Sequence, residues 1–373
     1  PEKTSSIEAG FEAAFWDNRL YLDFTYYKTD SRNQILKLAT TAASGYTSQV
    51  RNAGHIRNRG YEIQLGAVPI QTSKGFRWNL DLNYGANSSK VVKLDDEGLI
   101  TSYQLYSSGI QILASVGEAY GTLFGTSYVR DANGNVVVDA NGLPKISTTN
   151  KTLGKFTPDW TGGISNTFSY RSLSLSFLID ASVGGSIFSN TNKTGKYTGV
   201  LANTLSGRDA EHGGLWYYTD AMGNNVRLPE SPSYSVSSDG LYYAQVNGQS
   251  TRVYQDGIMV EGVTESGSKN EEVVSAEKYY HRIYSIAEAN VYDASYVKLR
   301  EVALSYRLPR LWTQKLHLQE ASVTLTGRNL WTIYKSVPNI DPESALTTGN
   351  AQGVEAYSLP TTRSFGVNLS VKF

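Results

Sequence analysis

The side chains that most often carry out catalysis are scarce and scattered in this sequence. The chain has 373 residues and no Cys, which excludes thiol catalysis, thiolate metal sites and disulfides. Its four His residues, His55, His212, His281 and His317, lie far apart, and none belongs to a His-Glu-x-x-His metal motif. A Gly-x-Ser-x-Gly nucleophile turn, a Walker loop and a dinucleotide fingerprint are also missing. The sequence therefore predicts no catalytic residue, no cofactor and no enzymatic activity.

One loop carries oxygen ligands at a spacing that a cation could use. Asp131, Asn133 and Asp139 precede glycines in the manner of a calcium loop. However, the Glu expected six residues after the first Gly is replaced by Ala140, and Asn-Gly is the strongest short hairpin signal. We expect a small hairpin here, with residues 136–138 as a strand and a calcium site as the weaker alternative.

Aromatic side chains are the most abundant groups that could recognise a ligand, since the chain has 26 Tyr residues. Flat rings stack on sugar rings and peptide planes, and rigid aromatic anchors also dominate protein interfaces. Three roles are open for the aromatic residues of the two longest loops: contact with a solute, contact with a partner protein, and packing within a folded loop. The candidates are Tyr103, Tyr106, Trp216, Tyr217, Tyr218, Tyr242, Tyr243, Tyr279 and Tyr280.

The segments that must position these loops alternate with a period of two. From Phe76 to Asn87 every even position is apolar or aromatic, and every odd position is polar or Gly, so a strand here has one apolar and one polar face. Such segments are about ten residues long, the length at which a tilted strand crosses a bilayer. The candidate strands are Ile7–Phe15, Leu20–Tyr27, Tyr61–Ala67, Phe76–Asn87, Trp160–Tyr170, Leu173–Phe177, Val302–Leu308, Ala321–Trp331 and Phe365–Phe373.

Short and long links alternate between these strands, as in outer-membrane barrels with short periplasmic turns and long extracellular loops. The long links cover roughly 38–58, 91–157, 186–293 and 334–361, which places the C-terminus in the periplasm. The pattern predicts an all-β, transmembrane antiparallel β-barrel. A soluble β-sandwich is the alternative, but it needs a strand every 8–12 residues or so, and the link 186–293 does not fit that spacing.

Composition agrees with a barrel wall and excludes other classes. Lys+Arg and Asp+Glu are 34 each, so the overall charge of a nucleic-acid-binding protein is missing. No apolar run approaches the roughly 18 residues of a transmembrane helix. Nine strands are an odd number, whereas single-chain bacterial barrels have an even number. We therefore expect further strands in sequence outside this chain.

Several motifs, in this order along nearly the whole chain, resemble the C-terminal part of SusC/RagA-family TonB-dependent outer-membrane transporters of Bacteroidetes. They are Asn52-Ala53-Gly54-His55-Ile56-Arg57-Asn58-Arg59-Gly60-Tyr61-Glu62, Leu153-Gly154-Lys155-Phe156-Thr157-Pro158-Asp159-Trp160-Thr161-Gly162-Gly163, Asp293-Ala294-Ser295-Tyr296-Val297-Lys298-Leu299-Arg300-Glu301-Val302, Gly327-Arg328-Asn329-Leu330-Trp331, Asn339-Ile340-Asp341-Pro342-Glu343 and the final Phe373.

The resemblance implies that residues 1–373 are the last nine or so strands of a barrel of about 22 strands. The plug domain, the N-terminal strands and the TonB-binding segment would then lie outside this chain. The implied partners are a SusD-like surface lipoprotein that sits on the outer loops as a lid, the TonB complex, and outer-membrane lipid and lipopolysaccharide. The implied cargo is an oligosaccharide or an oligopeptide, and the terminal Phe373 resembles the signal read by the outer-membrane assembly machinery.

Polar residues on the wet face of the strands should line the lumen and hold the plug. The charged candidates are Asp23, Arg77, Asp81, Asp180, Arg328 and Lys372.

Three other functions share some of these features. A passive porin or diffusion channel would use the same strands without a plug. An outer-membrane enzyme barrel would need a cluster of Ser, Asp or His residues. A secreted glycan-binding β-protein would be soluble without detergent.

Overall fold

The computed structural model describes residues 1–39, 43, 45–46, 48–95, 97–98, 100–228, 231–315 and 317–373. Its strands, in chain order, are β1 (Lys3–Phe15), β2 (Leu20–Ala39), β3 (Ser48–Gln71), β4 (Phe76–Lys93), β5 (Ser102–Ser107), β6 (Gln111–Ser115), β7 (Tyr120–Gly125), β8 (Lys151–Lys155), β9 (Trp160–Tyr170), β10 (Leu173–Val183), β11 (Ser186–Ser189), β12 (Leu215–Thr219), β13 (Asn225–Arg227), β14 (Tyr234–Val236), β15 (Tyr242–Val246), β16 (Gln249–Met259), β17 (Val273–Ser275), β18 (Val291–Asp293), β19 (Tyr296–Arg307), β20 (Glu320–Lys335), β21 (Val354–Glu355) and β22 (Ser364–Lys372). The α-helices are α1 (Asn190–Tyr197), α2 (Ala276–Tyr284) and α3 (Arg310–Lys315), and short 3₁₀ turns cover Ala202–Thr204 and Ala287–Asn290.

One large antiparallel sheet has the order β1-β2-β3-β4-β9-β10-β19-β20-β22. Its nine strands coincide with the nine predicted from alternation, so the prediction of an antiparallel β-barrel wall is confirmed. The sequence underestimated the length of β2, β3 and β4, which have 20, 24 and 18 residues. Their extensions are polar on both faces, for example along Asn52–Gly60, so a period of two is not visible there.

The register of the sheet aligns apolar side chains into rows on one face. Trp78 lies opposite Phe168, Phe168 opposite Leu175, and Leu175 opposite Leu304. Trp78 and Phe168 stack with ring centroids 5.6 Å apart. These rows are not covered in the described chain, since Leu175 is 39% exposed. A contiguous apolar surface of this extent is unfavourable in water and suits contact with acyl chains.

The long links fold into a layer of their own, at the end of the sheet away from the short turns. This outer layer contains a four-stranded sheet (β5–β8), a sheet of β12–β17, and a three-stranded sheet in which β11 pairs with β18 and β21. Phe188, Ile112 and Leu123 are fully buried in one of its cores. In their described residues, the predicted loops 91–157, 186–293 and 334–361 are therefore folded connections, whereas residues 48–58 of the predicted loop 38–58 belong to strand β3. None of the helices in the described chain has the length and apolarity to cross a membrane.

A matched pair of arginine substitutions tests which face contacts lipid. Ile164 in β9 is 40% exposed on the apolar face, and its neighbour Ser165 lies opposite Asp81 on the polar face. We expect Ile164→Arg to destabilise the folded barrel by about 2–4 kcal/mol, because a guanidinium near the bilayer midplane loses hydration. Ser165→Arg should cost much less. Urea unfolding of the full-length protein in lipid vesicles measures both, and equal costs would contradict the assignment of faces.

Candidate functional site

The charged residues predicted to line a lumen all lie on one face of the large sheet. Residues two apart in a strand share a face, and so do residues directly opposite on neighbouring strands. Asp23, Gln64, Asn83, Gly163 and Asp180 form one such row across β2, β3, β4, β9 and β10.

A second row of the polar face links the remaining strands. Ser174 lies opposite Ser305, which lies opposite Thr324, which lies opposite Asn368. Because of the two-residue period, these rows bring the predicted residues to the same face: Asp23, Arg77, Asp81, Asp180, Arg328 and Lys372.

A β-bulge in β19 changes which side chains reach this face. The register shifts between Leu299 and Glu301, so Arg300 is an extra residue between the paired positions. A bulge lets two successive side chains point the same way. Arg300 forms an ion pair with Asp180 (2.7 Å), and Glu301 forms an ion pair with Arg328 (2.8 Å). Both partners, Asp180 and Arg328, belong to the polar face.

A buried ionic network lies at the outer end of this face. Lys298 is 3% exposed, and its Nζ donates to Asp341 Oδ1 at 2.6 Å and to Glu343 Oε2 at 2.5 Å. Glu343 also accepts hydrogen bonds from Arg300 and, at 2.9 Å, from the Tyr296 hydroxyl. A buried charge is tolerated only when it is fully paired, and here each cation contacts two carboxylates. We name Asp180, Tyr296, Lys298, Arg300, Asp341 and Glu343 the mouth network.

Both loop carboxylates of the mouth network are ionised at neutral pH. Burial alone raises the pKa of Asp341, but hydrogen bonds from Lys298 and Thr361 outweigh it and lower the pKa below the ordinary 3.8. For Glu343, burial is likewise outweighed by bonds from Arg300 and Lys298, and its pKa falls below 4.5. The segment Asn339–Glu343 is therefore held to the barrel wall by full charges.

The same segment also binds helix α1 of the outer layer. Asn192 is completely buried, donates to Pro338 O at 3.0 Å, and accepts from Asn339 Nδ2 at 2.8 Å. Glu355, also completely buried, accepts hydrogen bonds from Ser189 (2.7 Å) and Thr191 (2.6 Å) at the first turn of α1. Residues 338–355 thus connect the barrel wall to the outer layer through paired polar groups.

A cavity of about 350 Å³ opens beside the mouth network, where β10 and β19 meet the outer layer. We name it the mouth cavity. It is lined by both rings and polar side chains, among them Phe156, Ser182, Ser186, Tyr296, Glu343, Thr348 and Gln352. Phe156 is fixed by close packing, since a Cβ on Gly121 (φ 85°) would come within 2.0 Å of its ring. The walls of the cavity therefore come from four separate segments of the chain.

The predicted aromatic candidates are placed mainly in the cores of the outer layer. Trp216 and Tyr217 are only 7% and 5% exposed. Trp216 packs with Ala244 and Val253, and the Tyr217 hydroxyl donates to Asp256 at 3.0 Å. Burial raises the pKa of Tyr217 and Asp256 raises it further, so this hydroxyl remains a donor. Of the three roles left open by the sequence, the contacts of these two residues match packing within a folded loop.

The other aromatic candidates are half-buried, except one. Tyr242 is 38% exposed and contacts Trp216 edge-on, with ring centroids 5.6 Å apart. Tyr280 is tied down by a hydrogen bond to Asn203 O at 2.8 Å. The remaining candidates pack against apolar clusters or lie half-buried in a strand: Tyr103, Tyr106, Tyr218, Tyr243 and Tyr279. Of the predicted set, Tyr242 offers the most open surface.

The acidic loop turns back on itself as predicted, but residues 136–138 form isolated bridges, Val136 with Arg130 and Val138 with Pro144, and not a regular strand. Asp131 Oδ1 accepts the backbone N–H groups of Asn133 (2.9 Å) and Asn135 (2.8 Å). A further hydrogen bond from the Asn135 side chain lowers the pKa of Asp131. Asp139 accepts from its own turn and from Arg282 at 3.0 Å. Both carboxylates are occupied by turn contacts, and no group of three or more His, Cys, Asp or Glu residues in the described chain is arranged for a metal.

Comparison with known proteins identifies the family. The protein-family model described as TonB dependent receptor-like, beta-barrel matches residues 1–198, more than half of the chain. This chain belongs to the TonB-dependent receptor family. TonB-dependent receptors P3 and P26 of Formosa agariphila are 26% and 24% identical to it, and each alignment covers 100% of this chain and 34% of the relative.

Solved structures show the same fold. The RagAB peptide transporter superposes with a TM-score of 0.62 at 19% identity, over 100% of this chain and 35% of that one. The RagAB peptide importer in its open-open state gives 0.62 at 18% identity. The chain spans about a third of the length of the receptors it matches. This TonB-dependent receptor chain is therefore outer-membrane barrel wall with a structured outer layer.

Removing the central lysine tests the mouth network. In Lys298→Met the two carboxylates stay buried without their cation, so we expect a loss of about 3–5 kcal/mol in the stability of residues 336–363. Lys74→Met, in the exposed turn between β3 and β4, should change stability by less than about 0.5 kcal/mol. Hydrogen exchange of the full-length receptor measures both. Unchanged protection of residues 336–363 in Lys298→Met would show that the network does not hold this segment.

A second substitution pair separates packing from recognition among the aromatic residues. Trp216→Ala removes a buried ring and should destabilise the outer sheet by about 3–5 kcal/mol. Tyr242→Ala removes a partly exposed ring and should cost clearly less. Limited proteolysis of residues 215–259 in the full-length receptor gives the readout, and similar cleavage rates for the two variants would contradict the assignment.

Proposed function

We propose that this chain is part of the wall of an active importer, which carries oligosaccharides or oligopeptides across the bacterial outer membrane. The observation that carries this proposal is the large sheet of a TonB-dependent receptor, apolar on one face and lined on the other by charged residues. The structurally similar RagAB protein is a peptide transporter, which supports the same class of role. The chain performs no bond chemistry in this proposal.

The energy for import has to come from outside this chain. A transporter moves a solute by switching between states that differ in affinity on the two sides of the membrane. The outer membrane lacks ATP and a steady ion gradient, so the inner-membrane TonB complex would pull on a plug. The remaining two-thirds of the receptor would supply that plug and the strands that complete a barrel of about 22 strands. The charged residues of the polar face would hold the plug by ion pairs.

In this proposal the outer layer is extracellular and the C-terminus is periplasmic. The short turns, such as Asp17-Asn18 between β1 and β2, would then face the periplasm. A SusD-like lipoprotein would cover the outer layer, and Tyr242 is an exposed ring available for such a contact. Phe373, which is 85% exposed, would serve as the assembly signal.

An uptake experiment separates active import from passive diffusion. Cells that express the full-length receptor with its neighbouring lipoprotein are given a pool of neutral oligosaccharides or a pool of oligopeptides, and depletion of the medium is followed by mass spectrometry. We expect import of one pool that stops when TonB is deleted or an uncoupler is added. Import that continues at the same rate without TonB would identify a diffusion channel. Import of neither pool would contradict the proposed cargo.

A further inference from the structure

We propose that the mouth cavity is a binding subsite for one uncharged unit of the cargo, a unit with a flat face and several hydrogen-bonding groups. A sugar ring and a peptide group both have this chemistry. The inference rests on the proposed import function and adds the place and the kind of contact. Its first support is size, since about 350 Å³ lies near the lower end of ligand sites. A cavity of this volume accepts one unit of an oligomer.

The polar groups of the cavity are available to a ligand. The hydroxyls of Ser182, Ser186 and Thr348 donate to and accept from no side chain or backbone group in the described part of the protein. Gln352 uses its Nε2 in a bond to Thr348 O at 2.6 Å, which fixes the amide and leaves its oxygen as an acceptor. A few convergent polar groups beside the rings of Phe156 and Tyr296 are the usual composition of a specific small-molecule site.

The cavity offers no unpaired charged side chain to a ligand, which disfavours an ionised ligand group. Glu343 is the single charged side chain among the lining residues, and its carboxylate is engaged by Lys298, Arg300 and Tyr296. A charged ligand group would lose its hydration without meeting an unpaired counter-charge. The site therefore favours an uncharged unit. The mouth network also holds the Tyr296 ring in place, because its hydroxyl donates to Glu343. Lys298 and Arg300 fix Glu343 and are therefore positioning residues for this wall of the cavity.

The cavity lies at the outer end of the polar face, where cargo would enter in the proposed import. Ser182 is paired with Tyr296 two residues beyond the pair Asp180 and Lys298, at the outer end of the polar face. In the proposed import, a solute that leaves the outer layer would reach the polar face at this cavity. Binding there would hold one unit of an oligomer while the next reaches the lumen.

The lack of Cys in this chain permits a direct test. Thr348→Cys places a thiol at the cavity, and Ser266→Cys places a matched thiol on an exposed hairpin of the outer layer. Both variants of the full-length receptor, with its lipoprotein, are treated in cells with a bulky neutral methanethiosulfonate. We expect labelling at Thr348→Cys to slow import at least about tenfold, and labelling at Ser266→Cys to slow it less than about twofold.

Protection from labelling identifies the ligand class. A saturating pool of neutral oligosaccharides, or of uncharged oligopeptides, should slow the modification of Thr348→Cys about fivefold or more while leaving Ser266→Cys unchanged. The pool that protects shows whether the unit is a sugar ring or a peptide group. A Thr348→Cys thiol that the reagent cannot reach, that neither pool protects, or whose complete labelling leaves import unchanged would overturn the subsite.

A charge placed in the cavity provides an independent variant. Ser182→Asp introduces an unpaired carboxylate, and we expect about tenfold slower import of the uncharged pool. Ser266→Asp, on the exposed hairpin of the outer layer, should be close to wild type. Equal rates for the two variants would refute the subsite while leaving import itself intact. If the unmodified receptor imports neither pool, the proposed function and this inference fail together.

Discussion

A single layer of strands can separate lipid from water only if every backbone polar group is paired within the layer and each strand presents opposite chemistry to its two sides. Strand pairing satisfies the first condition because an unpaired amide in hydrocarbon costs several kcal/mol. Alternation satisfies the second, with Leu175 on one side of β10 and Ser174 on the other. The polar face, the mouth network and the mouth cavity all depend on this arrangement, because it decides which side chains meet.

Sequence alternation predicted the large sheet because the two environments differ most within the membrane zone. Segments such as Phe76–Asn87 alternate strictly there, and β4 contains all of this segment. The extensions of β2–β4 lie beyond that zone and pack partly against the outer layer, as buried Ile56 and Val91 show, so no alternation marks them. The short strands of the outer layer were also missed, since their apolar residues are few in each strand and become a core only after distant segments come together, as for Ile112 and Phe188.

The mouth network was beyond sequence reasoning for a different reason. Lys298 and Asp341 are 43 positions apart, and the bulge that places Arg300 and Glu301 on one face has no clear local signal. One signal was present: Lys298 and Arg300 are two residues apart, and so are Asp341 and Glu343. The two cations and the two carboxylates therefore have the same spacing, which matches the ion pairs that they form with each other. For the aromatic candidates, residue type alone could not separate the buried Trp216 from the exposed Tyr242.

Strands that lie close together in the large sheet have very different lengths. β4 begins and β9 ends at the short-turn end, where Phe76 faces Tyr170, but β3 has 24 residues and β9 has 11. At about 3.3 Å per residue, β3 therefore extends roughly 40 Å farther along the strand direction than β9. The extra length of β2–β4 lies beside the outer layer, where Leu36 and Val91 are buried with Ala114 of β6 in one apolar cluster. These long strands therefore support the β5–β8 sheet from one side.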